Sequence, residues 1–433
     1  MAFSKQTIKD YDVIGKQVLL RADYNVPIDS MGKITDDFRI RKSIPTIKYL
    51  LDNKCSIVIC SHLGRPDGKN NKKLSLRPVA KRLSKLLDRP LEFSDECIGV
   101  SAEAARDKLK PGQILVLENL RFHSEEEAND KTFSKQLAYK SNVFVQDGFG
   151  VVHRAHASTV GVTKFLPSIA GLLLFDEVNT LSEVMINPSR PLVTIVGGAK
   201  IADKIDILKR FISVSDIVIV GGAMANTFIM AKGIDVGGSL VDKNELGLAS
   251  EIIDLAQEKM KISKSVFYIP QDGVVADSLS KPSYTRIVDW DSHVVADIEA
   301  YPKQPKVYSY TIKADEQILD IGPFSGAFIA GSIQLASTVL WNGPLGVTET
   351  KALIGPVGPF AHGTDLVIEA LLGQFGAKPY SIIGGGDTVG YIEGLKLEDS
   401  FGHVSTGGGA SLDLLSGRKL PGVEALLNLS HQK

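Results

Sequence analysis

Two sets of residues in this chain have types and spacings that suit chemistry on anions. The first is rich in arginine and histidine: Asp23-Tyr24-Asn25, Asp36-Asp37-Phe38-Arg39, His62-Leu63-Gly64-Arg65, Arg121-Phe122-His123 and His153-Arg154-Ala155-His156. A guanidinium stays charged and binds phosphate or carboxylate through two parallel hydrogen bonds. Several converging on one cleft suit a small, multiply charged anion. The second set is rich in glycine: Gly197-Gly198-Ala199-Lys200, Gly221-Gly222-Ala223, Asn342-Gly343-Pro344 and Gly384-Gly385-Gly386-Asp387-Thr388. Glycine lets backbone N–H groups approach phosphate oxygens, and a helix N-terminus that follows adds the positive end of its dipole. Lys200 and Lys204 stand one helical turn apart, a spacing that lets them face the same phosphates. Asp387 offers a hard oxygen ligand beside a phosphate loop, which suits Mg²⁺.

Each signal has a plainer reading. A single surface arginine is usually a solvated charge, and a Gly-Gly pair after a strand is usually a tight turn. His153 and His156 also suit packing or capping, Lys200 and Lys204 also suit a solvated helix face, and Gly-Asp-Thr is a good helix N-cap. The segregation of the two loop types into the two halves of the chain is what chance would not produce.

The elements that must hold these loops are short apolar runs. They are Val18–Leu20, Ser56–Ile59, Ile114–Leu117 and Val143–Val145 in the first half. In the second half they are Leu192–Val196, Ile217–Val220, Val266–Ile269, Ile318–Ile321, Thr338–Trp341 and Ser381–Ile383. Runs apolar on both faces are what strands of a helix-covered parallel sheet look like. Segments between them, such as Leu76–Leu87 and Ala202–Phe211, carry apolar residues at helical spacing. The alternation predicts a doubly wound α/β architecture, whose ligands sit beyond the carboxyl ends of the strands. A boundary falls near residues 165–190, where the helical stretch Phe175–Met185 lies between Leu166-Pro167-Ser168 and Asn187-Pro188-Ser189-Arg190-Pro191.

Composition narrows the function classes. The 433 residues favour two domains over one. A formal net charge of −1 gives no global field for nucleic acid or an anionic membrane. Cys55, Cys60 and Cys97 are odd in number and form no CxxC pair, which argues for a reducing compartment. The polar Met1–Lys16 segment has no apolar signal region, Phe165–Phe175 and Ile217–Met230 are too short to span a bilayer, and His431-Gln432-Lys433 carries no lipidation signal. A cytoplasmic protein is expected. There is no Walker A sequence, no GxGxxG opening a helix, and no protein-kinase His-Arg-Asp or Asp-Phe-Gly.

With these motifs in hand, the chain resembles the phosphoglycerate kinase family. The resemblance is carried by Val18-Leu-Leu-Arg21-Ala-Asp23-Tyr-Asn25-Val-Pro27, Ser61-His62-Leu-Gly-Arg65-Pro66, Glu118-Asn119-Leu-Arg121-Phe122, Asp147-Gly-Phe-Gly150 and His153-Arg154-Ala-His156-Ala-Ser158. It continues through Gly197-Gly-Ala-Lys200 with Asp203-Lys204, Trp341-Asn342-Gly-Pro344, Gly384-Gly-Gly-Asp387-Thr388 and Ser405-Thr-Gly-Gly-Gly-Ala410-Ser411. The sequence departs from the family at Ala223 (usually Gly), Asn226 (often Tyr), Gln271 (often Val) and Thr348 in Gly346-Val347-Thr348-Glu349. It also looks lengthened up to Gly363, and it lacks the Lys often found near Asp176-Glu177.

The resemblance implies two Rossmann-like domains with parallel sheets flanked by helices, joined by a central helix and a hinge. Residues 1–173 would bind the triose phosphate, residues 174–404 the nucleotide, and residues from about 405 to 433 would pack back on the first domain. The implied reaction is 1,3-bisphosphoglycerate + MgADP ⇌ 3-phosphoglycerate + MgATP, in glycolysis and gluconeogenesis, by a monomer. Asp23, Asn25, Arg39, His62, Arg65, Arg121 and Arg154 match the triose-phosphate positions, with Leu63 and Gly64 in the same loop. Lys200, Lys204, Glu349 and the loop of Gly385, Gly386, Asp387 and Thr388 match the nucleotide side, which also takes in Gly198 and Asn342. Arg39, Lys200 and the backbone at Gly386 are expected to act on the transferring group, Asp387 to hold Mg²⁺ and Glu349 the ribose.

Two other classes share such a scaffold. A hinged solute-binding protein has no use for Lys200 or Asp387, and a nicotinamide dehydrogenase would carry the missing glycine fingerprint.

Overall fold

Alternate residues of the strands in the first half belong to different apolar cores, the mark of a sheet covered on both sides. Val18 and Leu20 join Ile57 and Ile59 in one cluster. Leu19, Val58 and Cys60 join Leu115 and Phe144 in another. Period-two alternation sends neighbouring side chains to opposite faces, so both faces must be apolar. The computed structural model describes residues 3–29, 31–291, 308–309, 311–350 and 358–429. Residues 351–357 of the lengthened segment before Gly363 and the last four residues lie outside the described residues.

The strands of the first sheet are β1 (Gln17–Arg21), β2 (Ser56–Cys60), β3 (Glu92–Ser94), β4 (Ile114–Leu117), β5 (Val143–Gln146) and β6 (Ser168–Ala170). All neighbours are parallel, in the order β3-β4-β2-β1-β5-β6. The direction of winding reverses between β1 and β5, and that is where a doubly wound sheet opens a crevice. Helices cover it for reasons written in the sequence. In Arg77–Leu87, Val79, Ala80 and Leu83 form the buried stripe, a proline opens the helix, and Asp88 ends it in the left-handed conformation.

The second half builds β7 (Leu192–Val196), β8 (Ile217–Val220), β9 (Val266–Tyr268), β10 (Asp272–Ala276), β11 (Thr285–Asp289), β12 (Tyr308–Ser309), β13 (Gln317–Ile321), β14 (Thr338–Asn342), β15 (Tyr380–Gly384) and β16 (His403–Val404). Six form a parallel sheet, β16-β15-β14-β7-β8-β9, with its reversal between β7 and β14. The other four form a separate sheet, β12-β11-β10-β13, in which β10 is antiparallel to both β11 and β13. The Ile318–Ile321 run is therefore a strand but lies outside the parallel sheet. A short apolar run reports burial, not the direction of its partner.

The chain divides into two compact units, residues 1–186 with 406–433, and residues 187–405. The helix Leu172–Ile186 belongs to the first. Within that unit Lys5 Nζ donates to the carbonyls of Glu424 and Leu426 and to Asn428 Oδ1, at 2.9, 3.2 and 2.9 Å. Glu177 Oε1 accepts from Thr406 N at 2.6 Å and from its hydroxyl at 2.7 Å.

Candidate active site

In the first unit the loops that leave β1, β2 and β4 form one hydrogen-bonded network. Asp23, just past β1, pairs with Arg39 Nη1 at 2.9 Å, and its other oxygen lies 3.8 Å from His62 Nδ1. Burial alone would raise the Asp23 carboxyl; Arg39, His62 and Arg21 outweigh it and hold the group below the usual carboxylate range. Asn25 Oδ1 accepts from Gly64 N at 2.8 Å, and the Gly64 carbonyl accepts from Arg121 Nη1 at 3.0 Å. Arg121 Nε reaches Glu127 at 3.0 Å, while its buried Nη2 has no hydrogen-bond partner. Asn119 ties the turn together: Nδ2 donates to the carbonyls of Leu63 and Leu74, and Oδ1 accepts from Arg121 N.

Beneath them lies Arg21, 1% exposed. Its Nε donates to Ser158 Oγ at 2.8 Å and Nη2 lies 3.4 Å from His62 Nδ1. Arginine has no acceptor, so His62 Nδ1 must be the acceptor and Nε2 carries the proton. Burial drives His62 well below its ordinary value; Asp23 opposes this and the arginines reinforce it, so the ring is neutral at pH 7. Glu126, fully buried, receives Ser158 N at 2.9 Å and Ser158 Oγ at 2.5 Å. Of the remaining candidates, Arg154 Nε donates to His153 Nε2 at 3.1 Å and Arg65 is exposed, with no hydrogen bond or ion pair among the described residues.

The second unit places its glycine loops around the reversal between β7 and β14. A Cβ on Gly197 would stand 2.0 Å from the Pro344 carbonyl oxygen, so the loops after β7 and β14 touch backbone to backbone. Gly222 has φ +64°, and a Cβ there would meet Gly198 N at 2.6 Å. No other residue type fits either place. Lys204 turns inward here: Nζ donates to Asn342 Oδ1 at 2.9 Å, to the Asn342 carbonyl at 3.3 Å, and to the Gly197 carbonyl. Burial lowers it to about 8, with Asp387 and Asp203 pulling the other way. Lys200 is exposed and lies in the loop before the turn Ala202–Lys204, so the two lysines do not share one helix face. Asn342 Nδ2 is buried without a partner. Gly385 precedes the helix Gly386–Gly394, and Thr388 Oγ1 accepts from Gly343 N at 2.8 Å.

A cavity of about 230 Å³ opens beside these loops, lined by Gly198, Gly222, Asn226, Pro344, Glu349 and Asp387 among others. Glu349 and Asp387 are exposed at it. Three wall residues, Leu240, Trp290 and Asp320, are absent from the sequence-derived candidates. Trp290 and Asp320 reach the cavity through the small sheet, whose placement the apolar pattern did not reveal.

The protein-family model described as phosphoglycerate kinase matches residues 8–418. The chain belongs to the phosphoglycerate kinase family. The phosphoglycerate kinase of Chloroflexus aurantiacus is 44% identical over 425 residues, covering 98% of this chain and 99% of that one. That of Moorella thermoacetica is 44% identical over 424 residues, with the same coverage. Among solved structures, phosphoglycerate kinase from Coxiella burnetii superposes with a TM-score of 0.78 at 36% identity, covering 97% of this chain and 98% of that one. The Pyrococcus horikoshii structure gives 0.78 at 28% identity with the same coverage. This kinase moves a phosphoryl group reversibly between 1,3-bisphosphoglycerate and ADP, giving 3-phosphoglycerate and ATP, in glycolysis. It is a phosphotransferase with a carboxyl group as acceptor. Among the described residues no helix is long and apolar enough to cross a membrane.

Proposed function

We propose that the first unit holds 3-phosphoglycerate on Asp23, Asn25, Arg39, His62, Arg65, Arg121 and Arg154, and that the second holds the nucleotide in the cavity beside the glycine loops. The observation that carries this is the division of labour between the two sheets. Strand ends of the first present guanidinium and imidazole groups, and strand ends of the second present backbone, Lys200 and Lys204. An orphaned donor in each region, Arg121 Nη2 and Asn342 Nδ2, supports the reading, since a buried unpaired donor costs about 1–3 kcal/mol that an anion repays.

The acceptor carboxylate has a pKa of about 3.5 and is already ionised at neutral pH, so no general base is needed. What remains is alignment and stabilisation of a loose phosphoryl transition state. Arg39 and Lys200 supply charge to the transferring group. The N–H groups at Gly385 and Gly386, ahead of a helix, add oriented dipoles. Neutral His62 donates from Nε2 without adding charge that Asp23 would quench. Glu349 accepts from a ribose hydroxyl at the cavity rim. Hinge bending of the units belongs to the same proposal, on the chemical ground that an acyl phosphate must be kept from water.

Asp387 fits a nucleotide-borne magnesium. It lies exposed in the first turn of its helix, and no cluster of three or more His, Cys, Asp or Glu ligands occurs among the described residues. One carboxylate, with phosphate oxygens and water completing the octahedron, is the usual magnesium arrangement. When bound, the ion neutralises charge on the phosphates. A monomer in a reducing cytoplasm completes the proposal. The family resemblance supports the first. The three cysteines support the second: all are buried, and burial pushes Cys55 to about 11, Cys60 to about 12 and Cys97 well above the ordinary thiol value.

The test is turnover of ATP and 3-phosphoglycerate by the purified protein with Mg²⁺, coupled to NADH oxidation through glyceraldehyde-3-phosphate dehydrogenase, beside Lys200→Ala. The variant should lose about 10²–10³-fold in kcat. Near-normal turnover by folded Lys200→Ala would remove Lys200 from the transferring group.

A further inference from the structure

Asp320 is the penultimate residue of β13 and takes no part in the chemistry above. It is 2% exposed and lines the cavity. Its Oδ1 accepts from Ile321 N at 2.9 Å, and its Oδ2 accepts from Gly363 N at 2.9 Å. Gly363 lies in the first turn of the helix His362–Leu371, whose own N-cap, Ala361, offers no side-chain acceptor. Asp320 therefore caps that helix from another element. The chain at Gly346 also packs closely on the same carboxylate. A Cβ on Gly346 would stand 2.3 Å from both Asp320 Oδ1 and the Phe360 carbonyl oxygen, and one on Gly363 would stand 2.6 Å from Asp320 Oδ1. Next to it, Val347 N donates to the Leu319 carbonyl at 3.0 Å. One buried carboxylate thus meets the chain at Gly346 and again at Gly363. Gly346, Val347 and Glu349 form a wall of the cavity.

We propose that Asp320 is a positioning residue for the nucleotide: it docks the Gly346–Glu349 wall against β13 and so presets where Val347 and Glu349 meet the ligand. The inference rests on reading the cavity as the nucleotide site. A residue that merely capped the helix would lower stability and leave ligand affinity alone. A residue that positions the wall must act on the nucleotide and spare 3-phosphoglycerate, which the first unit holds.

Asp320→Asn keeps the shape and removes one acceptor, setting an N–H against an N–H. Gly346→Ala pushes the wall away with the carboxylate intact. Gly222→Val, at φ +64° and against Gly198 N, blocks the cavity itself. The measurements are kcat, both KM values and the calorimetric ADP dissociation constant, each on protein with native circular dichroism. Asp320→Asn should raise KM for ATP and the ADP dissociation constant about five-fold, as expected for one buried hydrogen bond. The kcat and KM for 3-phosphoglycerate should stay within about two-fold. Gly346→Ala should shift the same constants in the same direction. Unchanged nucleotide constants in Asp320→Asn, with only a lower melting temperature, would overturn the proposal. If Asp320→Asn does not fold, unchanged constants in Gly346→Ala would overturn it. Normal ADP binding by Gly222→Val would instead refute the placement of the nucleotide.

Discussion

Arg39→Ala separates two roles that one side chain combines. In the proposed function the guanidinium acts on the transferring phosphoryl group, and in the structure it neutralises Asp23 at 2.9 Å. Losing a donor that acts in the transition state costs about 10²–10³ in kcat, or about 3–4 kcal/mol. Losing the partner of a buried carboxylate costs about 3–5 kcal/mol of stability, and breaking an exposed pair costs about 0–1. The Asp23 side chain is 6% exposed and that of Arg39 is 27% exposed, so the expected loss is between these, about 2 kcal/mol. The two effects come apart in Asp23→Asn/Arg39→Ala. Neutralising Asp23 removes the stranded charge, so urea unfolding should return to within about 1 kcal/mol of the parent. The coupled assay should show no recovery of kcat, because nothing replaces the donor. Turnover by folded Arg39→Ala within ten-fold of the parent would refute the assignment. Recovery of kcat in the double variant would show that Arg39 acts only through Asp23.

Two further outcomes follow from buried ionisable groups. Burial holds Lys204 near 8, so above that pH the free protein carries it neutral, and an anionic nucleotide arriving beside it should draw a proton back. Calorimetry of ADP binding at pH 8.5, in buffers of different ionisation enthalpy, should show proton uptake by the parent and none by Lys204→Met; zero uptake by the parent sinks the placement. Asp147, at the end of β5, is raised from 3.8 to about 7 by burial, against the pull of the Thr46 hydroxyl and the Leu174 and Leu173 N–H groups. The folded state then keeps a proton that the unfolded chain releases between about pH 4 and 7. Stability from this group is fully present below pH 4 and falls as pH rises through 7, by up to about 4 kcal/mol. Asp147→Asn keeps an acceptor for those N–H groups and should flatten the fall; parallel stability–pH curves for parent and variant would show that Asp147 contributes none of it.

Most strands of the parallel sheets were legible because they are apolar on both faces, as Leu192–Val196 and Ile114–Leu117 show, whereas the short edge strands β3, β6 and β16 left no such run. The small sheet was not. Thr285–Asp289 is exposed at one end and buried at the other, and Tyr308–Ser309 is two residues long. Neither leaves a period in the sequence. The same contrast holds at the site. Loops such as His62–Arg65 and Gly384–Thr388 stood out because they follow strands and change composition abruptly. The pairings that hold them did not, because the partners are remote in sequence. Arg21 finds Ser158 137 positions away, and Lys204 finds Asn342 138 away. Asp320 meets Gly363 across 43 positions, and no local pattern announces such a pair.

The two units meet the same electrostatic demand by different means, and the difference has consequences. In the first, positive charge sits on side chains held mainly by other side chains: Arg21 by Ser158, Arg121 by Glu127 together with the Gly64 carbonyl, and Arg39 by Asp23. Such a site is tunable one residue at a time, and each loss also leaves a partner unpaired, so affinity and stability fall together. In the second, the phosphate-facing surface is largely backbone, and its shape is fixed by the absence of a Cβ at Gly197 and Gly222. Substitution there removes no charge; it moves the chain. Substitution should therefore be tolerated least where the backbones of the loops after β7 and β14 meet. A chain with a net charge of −1 can bind two polyanions only by such local construction, and the sorting of arginine to one sheet and glycine to the other is how this sequence does it.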